Sequence, residues 1–230
     1  MRTHILITGA SRGIGAAIAE ALTTDATDVV ALSSADGDLS DPAIPERLWQ
    51  NSLDRLDGRI DVLINNAGIF EANPIASDDA AWLAEWERTM QVNLTASALL
   101  CRRAVLHWQD RGTGGRIVNI ASRAAYRGDS PAHWHYAASK AGMVAMTKTI
   151  ARGYAQDGIL AFAICPGFTM TGMAEDYLAS RGGGELLADI PLGRVAMPDE
   201  VGEMARWCAL DAPASMTGAA LDVNGASYVR

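Results

Sequence analysis

The feature that most constrains this chain's fold is a rhythm in which short, uninterrupted aliphatic runs alternate with longer amphipathic stretches. The runs are HILITG (4–9), DVVALS (28–33), DVLINNAG (61–68), GRIVNIAS (115–122), ILAFAICPG (159–167) and AALDVNG (219–225). A strand with one wet face alternates apolar and polar residues. Most of these runs do not, so both of their faces must be covered, as in a parallel sheet flanked by helices. The stretches 13–24, 43–57, 78–110, 134–157, 173–188 and 198–210 read as helices. The pattern predicts βαβ units in an α/β, three-layer, doubly wound parallel sheet, and nothing resembling a linker or repeat divides residues 1–230 into more than one domain.

Composition narrows the partners. A 230-residue chain that is 49% hydrophobic can bury a full core. Its formal charge of −8 argues against a nucleic-acid or anionic-membrane partner, since either needs a basic stripe to neutralise phosphates. Cys101, Cys165 and Cys208 are far apart and in apolar surroundings, which predicts buried thiols in a reducing compartment, with no disulfide framework and no metal site. The N-terminal MRTHILITGAS is too short in its apolar run for a signal segment or a membrane span, so the expected location is cytoplasmic. The most loop-like stretch, SRGGGELLADIPLGR (180–194), falls in a segment, about 173–194, that reads as a lid.

Two motifs carry chemistry. The first aliphatic run ends in TGASRGIG, with Gly9, Gly13 and Gly15 on a strand-to-helix turn. Glycines there let the backbone approach a pyrophosphate, and the helix N-terminus offers unpaired N–H donors at its positive end. Alone, such a turn also serves packing. The second motif is YAASK, where Tyr136 and Lys140 lie four positions apart and so project from one helical face. A phenol of pKa about 10 is protonated at neutral pH, and a nearby ammonium stabilises its anion, which suits a general acid or base.

In order along the chain, TGASRGIG, NNAG (65–68), VNL with Asn93, IAS with Ser122, YAASK, CPGFTMTGM (165–173) and PLGRVAMPDEV (191–201) resemble the short-chain dehydrogenase/reductase family in its single-domain, Rossmann-type form. The resemblance runs from Thr8 nearly to the C-terminus. It implies an NAD(P)-dependent alcohol dehydrogenase or ketoreductase whose catalytic residues are Asn93, Ser122, Tyr136 and Lys140. Tyr136 would be the acid or base, and Ser122 would bind the substrate oxygen. Lys140 would hold the nicotinamide ribose, and Asn93 would anchor a water that completes the proton relay. Cofactor contacts are implied for Gly9, Ser11, Arg12, Gly13, Ile14, Gly15, Ser33, Ser34, Asp38, Leu39, Asn65, Ala67, Gly68, Tyr136, Lys140, Pro166, Gly167, Thr169 and Thr171. Of these, Asn65, Ala67 and Gly68 would border the adenosine ribose and support the central strands.

One departure from the family pattern is structural. Only SADG separates Ser33 from Asp38, the residue expected beside the adenine. A parallel crossover needs about a dozen residues, so the family's outer third strand and the helix before it should be missing, leaving six strands. Ser33 and Ser34 stand where NAD-dependent relatives carry an aspartate, and Arg12 can face a 2′-phosphate, so NADP is favoured over NAD, although Asp36 and Asp38 could replace the aspartate.

The substrate side is less constrained. Trp134, Phe168, Met170, Met173 and Tyr177 are candidates for an apolar wall, and His133 and His135 for the pocket rim, one of them facing solvent. The expected partner is a small ketone or secondary alcohol; the alternatives are a 3-oxoacyl thioester or, on a non-catalytic reading, a sensor of NAD(P). A helical stripe of Met143, Met146 and Ile150 suggests apolar surface left for a homo-oligomer, a dimer or tetramer.

Overall fold

The computed structural model describes residues 2–171 and 183–230. In chain order it contains β1 (Thr3–Ile7), α1 (Gly13–Leu22), β2 (Thr27–Ala31), α2 (Ile44–Arg55), β3 (Val62–Asn65), α3 (Asp79–Met90), α4 (Ala96–Arg111), β4 (Gly115–Ile120), a short α5 (Ala124–Arg127), α6 (Trp134–Tyr154), β5 (Ile159–Pro166), α7 (Gly183–Ala188), α8 (Pro198–Leu210) and β6 (Ala220–Val223). The strands form one sheet in the order β2-β1-β3-β4-β5-β6, and every pairing is parallel.

The unbroken aliphatic runs are explained by two cores, one on each face. Leu6, Leu63 and Ile117 point into the core that holds Trp49, Leu100 and Trp108 from α2 and α4. Their strand neighbours Ile5, Ile7, Val62, Ile64 and Val118 point into the opposite core, with Ile18 of α1 and Val201 and Cys208 of α8. Successive residues thus serve alternate faces, and both faces are dry.

After β2 the chain turns without forming a further strand through residues 32–43 and enters α2. The absent third strand is therefore a property of this fold, as the short connection requires. Gly37 makes the tight passage possible, since a side-chain carbon there would lie 2.6 Å from Ile44 Cγ2.

Two expectations change. The stretch 78–110 is not one regular helix: α3 and α4 are joined by a π turn at Gln91–Thr95, which carries Asn93. The stripe Met143, Met146, Ile150 does not supply surface for a partner, because Met143 is 0% and Ile150 8% exposed, and Met146 packs against the same interior. Of the stretch expected to form a helix and lid, residues 172–182 lie outside the described residues, and the described part holds α7 followed by a turn at Gly193 (φ +77°). Among the described residues no helix is long and apolar enough to cross a membrane.

Candidate active site

All the site elements gather at the carboxyl ends of the strands, around the point where the sheet order reverses between β1 and β3. The glycine turn after β1 comes first. Gly9 has φ +69°, and a side-chain carbon there would come 2.6 Å from Ala67 Cα. Gly13, at φ +53°, leaves 3.0 Å to Thr171 Cγ2. At Gly15 the same carbon would collide with the Gly9 carbonyl and the Asn66 side chain. The turn therefore sits between Ala67 and Thr171 as a groove with no side chains in its floor. Helix α1 opens from this groove with Arg12 as its N-cap, without a side-chain cap and without an acidic residue in its first turn. Its first N–H groups are left for an anion, and Ser11 and Arg12 are exposed beside them. Ile14 instead packs into the core below. This cradle fits the pyrophosphate of a dinucleotide.

Two residues that shape the cradle carried no assigned role in the sequence. Thr8 Oγ1 accepts from the backbone N of Asn66 and of Ala67, both at 3.2 Å. The Asn66 carboxamide donates to the carbonyls of Thr8 at 3.1 Å and Gly9 at 2.8 Å. The available signal was their place inside the two glycine motifs. Asn65 is a correction in the opposite sense. It is 0% exposed, and its Nδ2 donates to Asn119 Oδ1 at 2.8 Å and meets Cys101 Sγ at 3.2 Å. Its side chain ties β3 to β4 and turns away from the groove, because successive strand residues face opposite sides.

At the end of β2, Ser33 is already engaged: its amide donates to Asp36 Oδ2 at 2.8 Å and its hydroxyl to the same oxygen at 3.1 Å. The shortened loop thus returns a carboxylate to the place where the sequence has serine. Ser34 is exposed. Asp38 accepts from the Ser40 amide at 2.9 Å, and this contact with the Ser40 hydroxyl holds its carboxyl below the usual range. Leu39 packs inward and offers its carbonyl to Gln91 Nε2 at 3.2 Å.

The catalytic candidates converge. Ser122 follows β4; its Oγ accepts from the Ala124 amide at 3.1 Å, and the next residue donates from its amide to the Pro166 carbonyl at 2.9 Å. Tyr136 and Lys140 lie on α6. Lys140 is 4% exposed, and its Nζ donates to the Ile120 carbonyl at 2.9 Å. Asn93 is 0% exposed; its Oδ1 accepts from the Ile69 amide at 2.8 Å, and its Nδ2 donates to the Ile69 carbonyl at 3.0 Å and to Ser139 Oγ at 3.2 Å. The π turn aims this carboxamide, a use such turns often have at functional sites. Gly68 completes the group, since a side-chain carbon there would lie 3.3 Å from Asn93 Oδ1 and 3.4 Å from Lys140 Nζ.

Burial dominates the electrostatics. It pushes the Tyr136 phenol up to about 12, opposed by a hydrogen bond from Ser122 and reinforced by Asp129. It pushes the Lys140 ammonium down to about 8. Lys140 Nζ sits 5.7 Å from the centre of the phenol ring and donates a hydrogen bond to the Ile120 carbonyl.

The remaining candidates separate. Thr169 is 7% exposed with Oγ1 donating to the Gly167 carbonyl at 3.2 Å, and Gly167 approaches Asn224 so closely that a side-chain carbon would lie 2.8 Å from its Cα. The Ala196 amide donates to the Phe168 carbonyl at 2.9 Å, and its carbonyl accepts from the Met170 amide at 2.8 Å, which fixes this segment beside the groove. Met173 and Tyr177 lie outside the described residues. Trp134 is 53% exposed. Neither histidine faces solvent as expected: the His133 side chain is 14% exposed and stacked on Phe70, and His135 is 1% exposed.

The comparisons with known proteins agree with this geometry. The family described as enoyl-(acyl carrier protein) reductase matches residues 30–226. A 3-oxoacyl-acyl-carrier-protein reductase of Synechocystis sp. is 35% identical over 243 aligned positions, which cover 96% of this chain and 94% of that protein. The 3beta-hydroxysteroid dehydrogenase 1 of Eggerthella lenta is 34% identical, with 96% and 92% covered. The 3-oxoacyl-acyl-carrier-protein reductase FabG of Salmonella typhimurium is 32% identical, with 97% and 96% covered. With a six-stranded parallel sheet, a glycine cradle after β1 and these full-length similarities, the chain belongs to the short-chain dehydrogenase/reductase family of oxidoreductases.

Proposed function

We propose that the protein, acting as a single domain, is an NAD(P)-dependent ketoreductase or secondary-alcohol dehydrogenase. The observation that carries the reading is that Asn93 and Lys140 meet beside Gly68, with Lys140 Nζ 5.7 Å from the Tyr136 ring and Ser122 hydrogen-bonding its phenol, next to a cradle that fits a dinucleotide. Gly9, Gly13, Gly15 and the open end of α1 would hold the pyrophosphate, Ala67 and Gly68 the adenosine-side ribose, and Pro166, Gly167, Thr169 and Thr171 the carboxamide end. Bound there, the nicotinamide supplies or accepts the hydride. Ser122 would hold the substrate oxygen by its hydroxyl, and Tyr136 would give that oxygen its proton. A phenol pushed up to about 12 keeps its proton at neutral pH and so is charged for ketone reduction. Lys140 would hold the ribose and, through a water anchored by Asn93, return a proton to Tyr136.

We propose NADP(H) as the preferred dinucleotide. Arg12 at the head of α1 supports it, since a guanidinium there suits a 2′-phosphate. The Asp36 carboxylate at Ser33 opposes it. A homo-oligomer, dimer or tetramer, rests on the family resemblance alone, and light scattering that reports a monomer at micromolar concentration would remove it.

A second reading, 3-oxoacyl thioester reductase, is favoured by the names of the Synechocystis and Salmonella relatives. Dinucleotide turnover against a panel of small ketones, secondary alcohols and a 3-oxoacyl thioester tests both. The expected result is consumption with small ketones. Thioester turnover at higher kcat/KM selects the second reading, and binding without consumption would mean a sensor.

A further inference from the structure

Resting on the ketoreductase reading, we infer that Phe70 is a specificity-determining residue: it is a stacking platform that selects a neutral ketone carrying a planar ring next to the carbonyl. Phe70 stands one residue after Ile69, whose amide and carbonyl are both held by the Asn93 side chain, so its backbone cannot shift freely. Its ring lies face to face on His133, with centroids 3.9 Å apart and planes inclined by 5°. It also meets Tyr136 edge to face, at 4.7 Å and 82°. His133 is fixed in turn by a 2.6 Å hydrogen bond between its Nδ1 and Ser130 Oγ. The ring is therefore backed on one face and anchored at its edge.

It is nevertheless 42% exposed. With His133 covering one face, part of the ring stays open to solvent within contact distance of the phenol assigned to proton transfer. A substrate whose oxygen reaches Tyr136 must carry its substituents past this surface. A planar ring gains an offset or edge-to-face aromatic contact there and has no rotamer freedom to lose, whereas a flexible acyl chain gains contact area only by giving up its own conformers. Charges of both signs lie nearby, Asp129 4.0 Å from His133 and the Lys140 ammonium 5.7 Å from the Tyr136 ring, so a charged substituent of either sign meets a like charge.

The test uses two methyl ketones of equal carbon number, acetophenone and octan-2-one, with the full chain and its preferred dinucleotide. The expected ratio of kcat/KM favours acetophenone by about tenfold or more, and Phe70→Leu lowers that ratio about tenfold while Phe70→Tyr keeps it. Equal or better use of octan-2-one, or a ratio unchanged in Phe70→Leu, overturns the inference. A binding arm is independent of turnover: saturation-transfer NMR should show acetophenone on the wild type and much less on Phe70→Leu. Loss of both ketones as substrates with this binding difference intact counts against the ketoreductase reading alone, whereas no binding difference counts against Phe70.

Discussion

Asn93 closes a two-point clamp on Ile69, accepting from its amide at 2.8 Å and donating to its carbonyl at 3.0 Å. A carboxamide carries an acceptor and a donor side by side, and here it joins the π turn to the loop carrying Gly68 and Phe70. Asn93→Leu removes the partner of both Ile69 groups in a partly buried setting, at about 1 kcal/mol for each lost hydrogen bond. The urea midpoint is expected to fall accordingly, together with turnover. Unchanged stability would mean that Ile69 finds water as readily as it finds Asn93.

Tyr136→Phe preserves the ring contacts with Phe70 but removes the transferable proton. Turnover is expected to fall at least about 10²-fold with dinucleotide binding retained. In the dinucleotide-free protein, ultraviolet titration should show one of the five tyrosines ionising near 12, and that step should vanish in the variant. Retention of most activity by Tyr136→Phe would sink the proton-transfer assignment.

Cofactor choice rests on a contest between Arg12 and Asp36. Asp36→Asn keeps a hydrogen-bond acceptor for Ser33 while removing the charge, so kcat/KM for NADP(H) is expected to rise and that for NAD(H) to fall. Arg12→Ala should lower kcat/KM for NADP(H) much more than for NAD(H). Equal changes with both dinucleotides would make these residues structural.

His135 should make stability pH-dependent. It is 1% exposed, its Nε2 has no hydrogen-bond partner among the described residues, and burial lowers its pKa against the opposing charge of Glu85 and a hydrogen bond with the Glu71 backbone, with His133 lowering it further. A folded-state value below the unfolded one, about 6.5, means that the unfolded chain binds the proton first, so stability is lost as pH falls through that region. Thermal unfolding between pH 7.5 and 5.5 is expected to show a smaller decline in His135→Gln than in the wild type. Parallel declines in the two proteins would assign the effect elsewhere.

The sequence by itself determined the sheet. Unbroken runs such as LIN in β3 require two covered faces, and four residues between Ser33 and Asp38 cannot carry a parallel crossover, so six strands in one parallel sheet follow from local pattern and chain length. It also put forward Ser122, Tyr136 and Lys140 as candidates, through the helical spacing of YAASK and motifs that resemble the family's. Only the tertiary structure decided where individual side chains point. The helical period of 78–110 contains no signal for the π turn that aims Asn93, since one extra residue in a turn is favoured by what it reaches, Ile69 and Ser139. Asn65 turns inward through its strand parity, Met143 through the side of α6 that meets the sheet, and Asp36 reaches Ser33 through a loop whose path depends on Gly37 passing Ile44. The Tyr136 pKa followed the same logic: spacing on a helix brought the ammonium near, but burial, a product of long-range packing, dominates and pushes the phenol up to about 12.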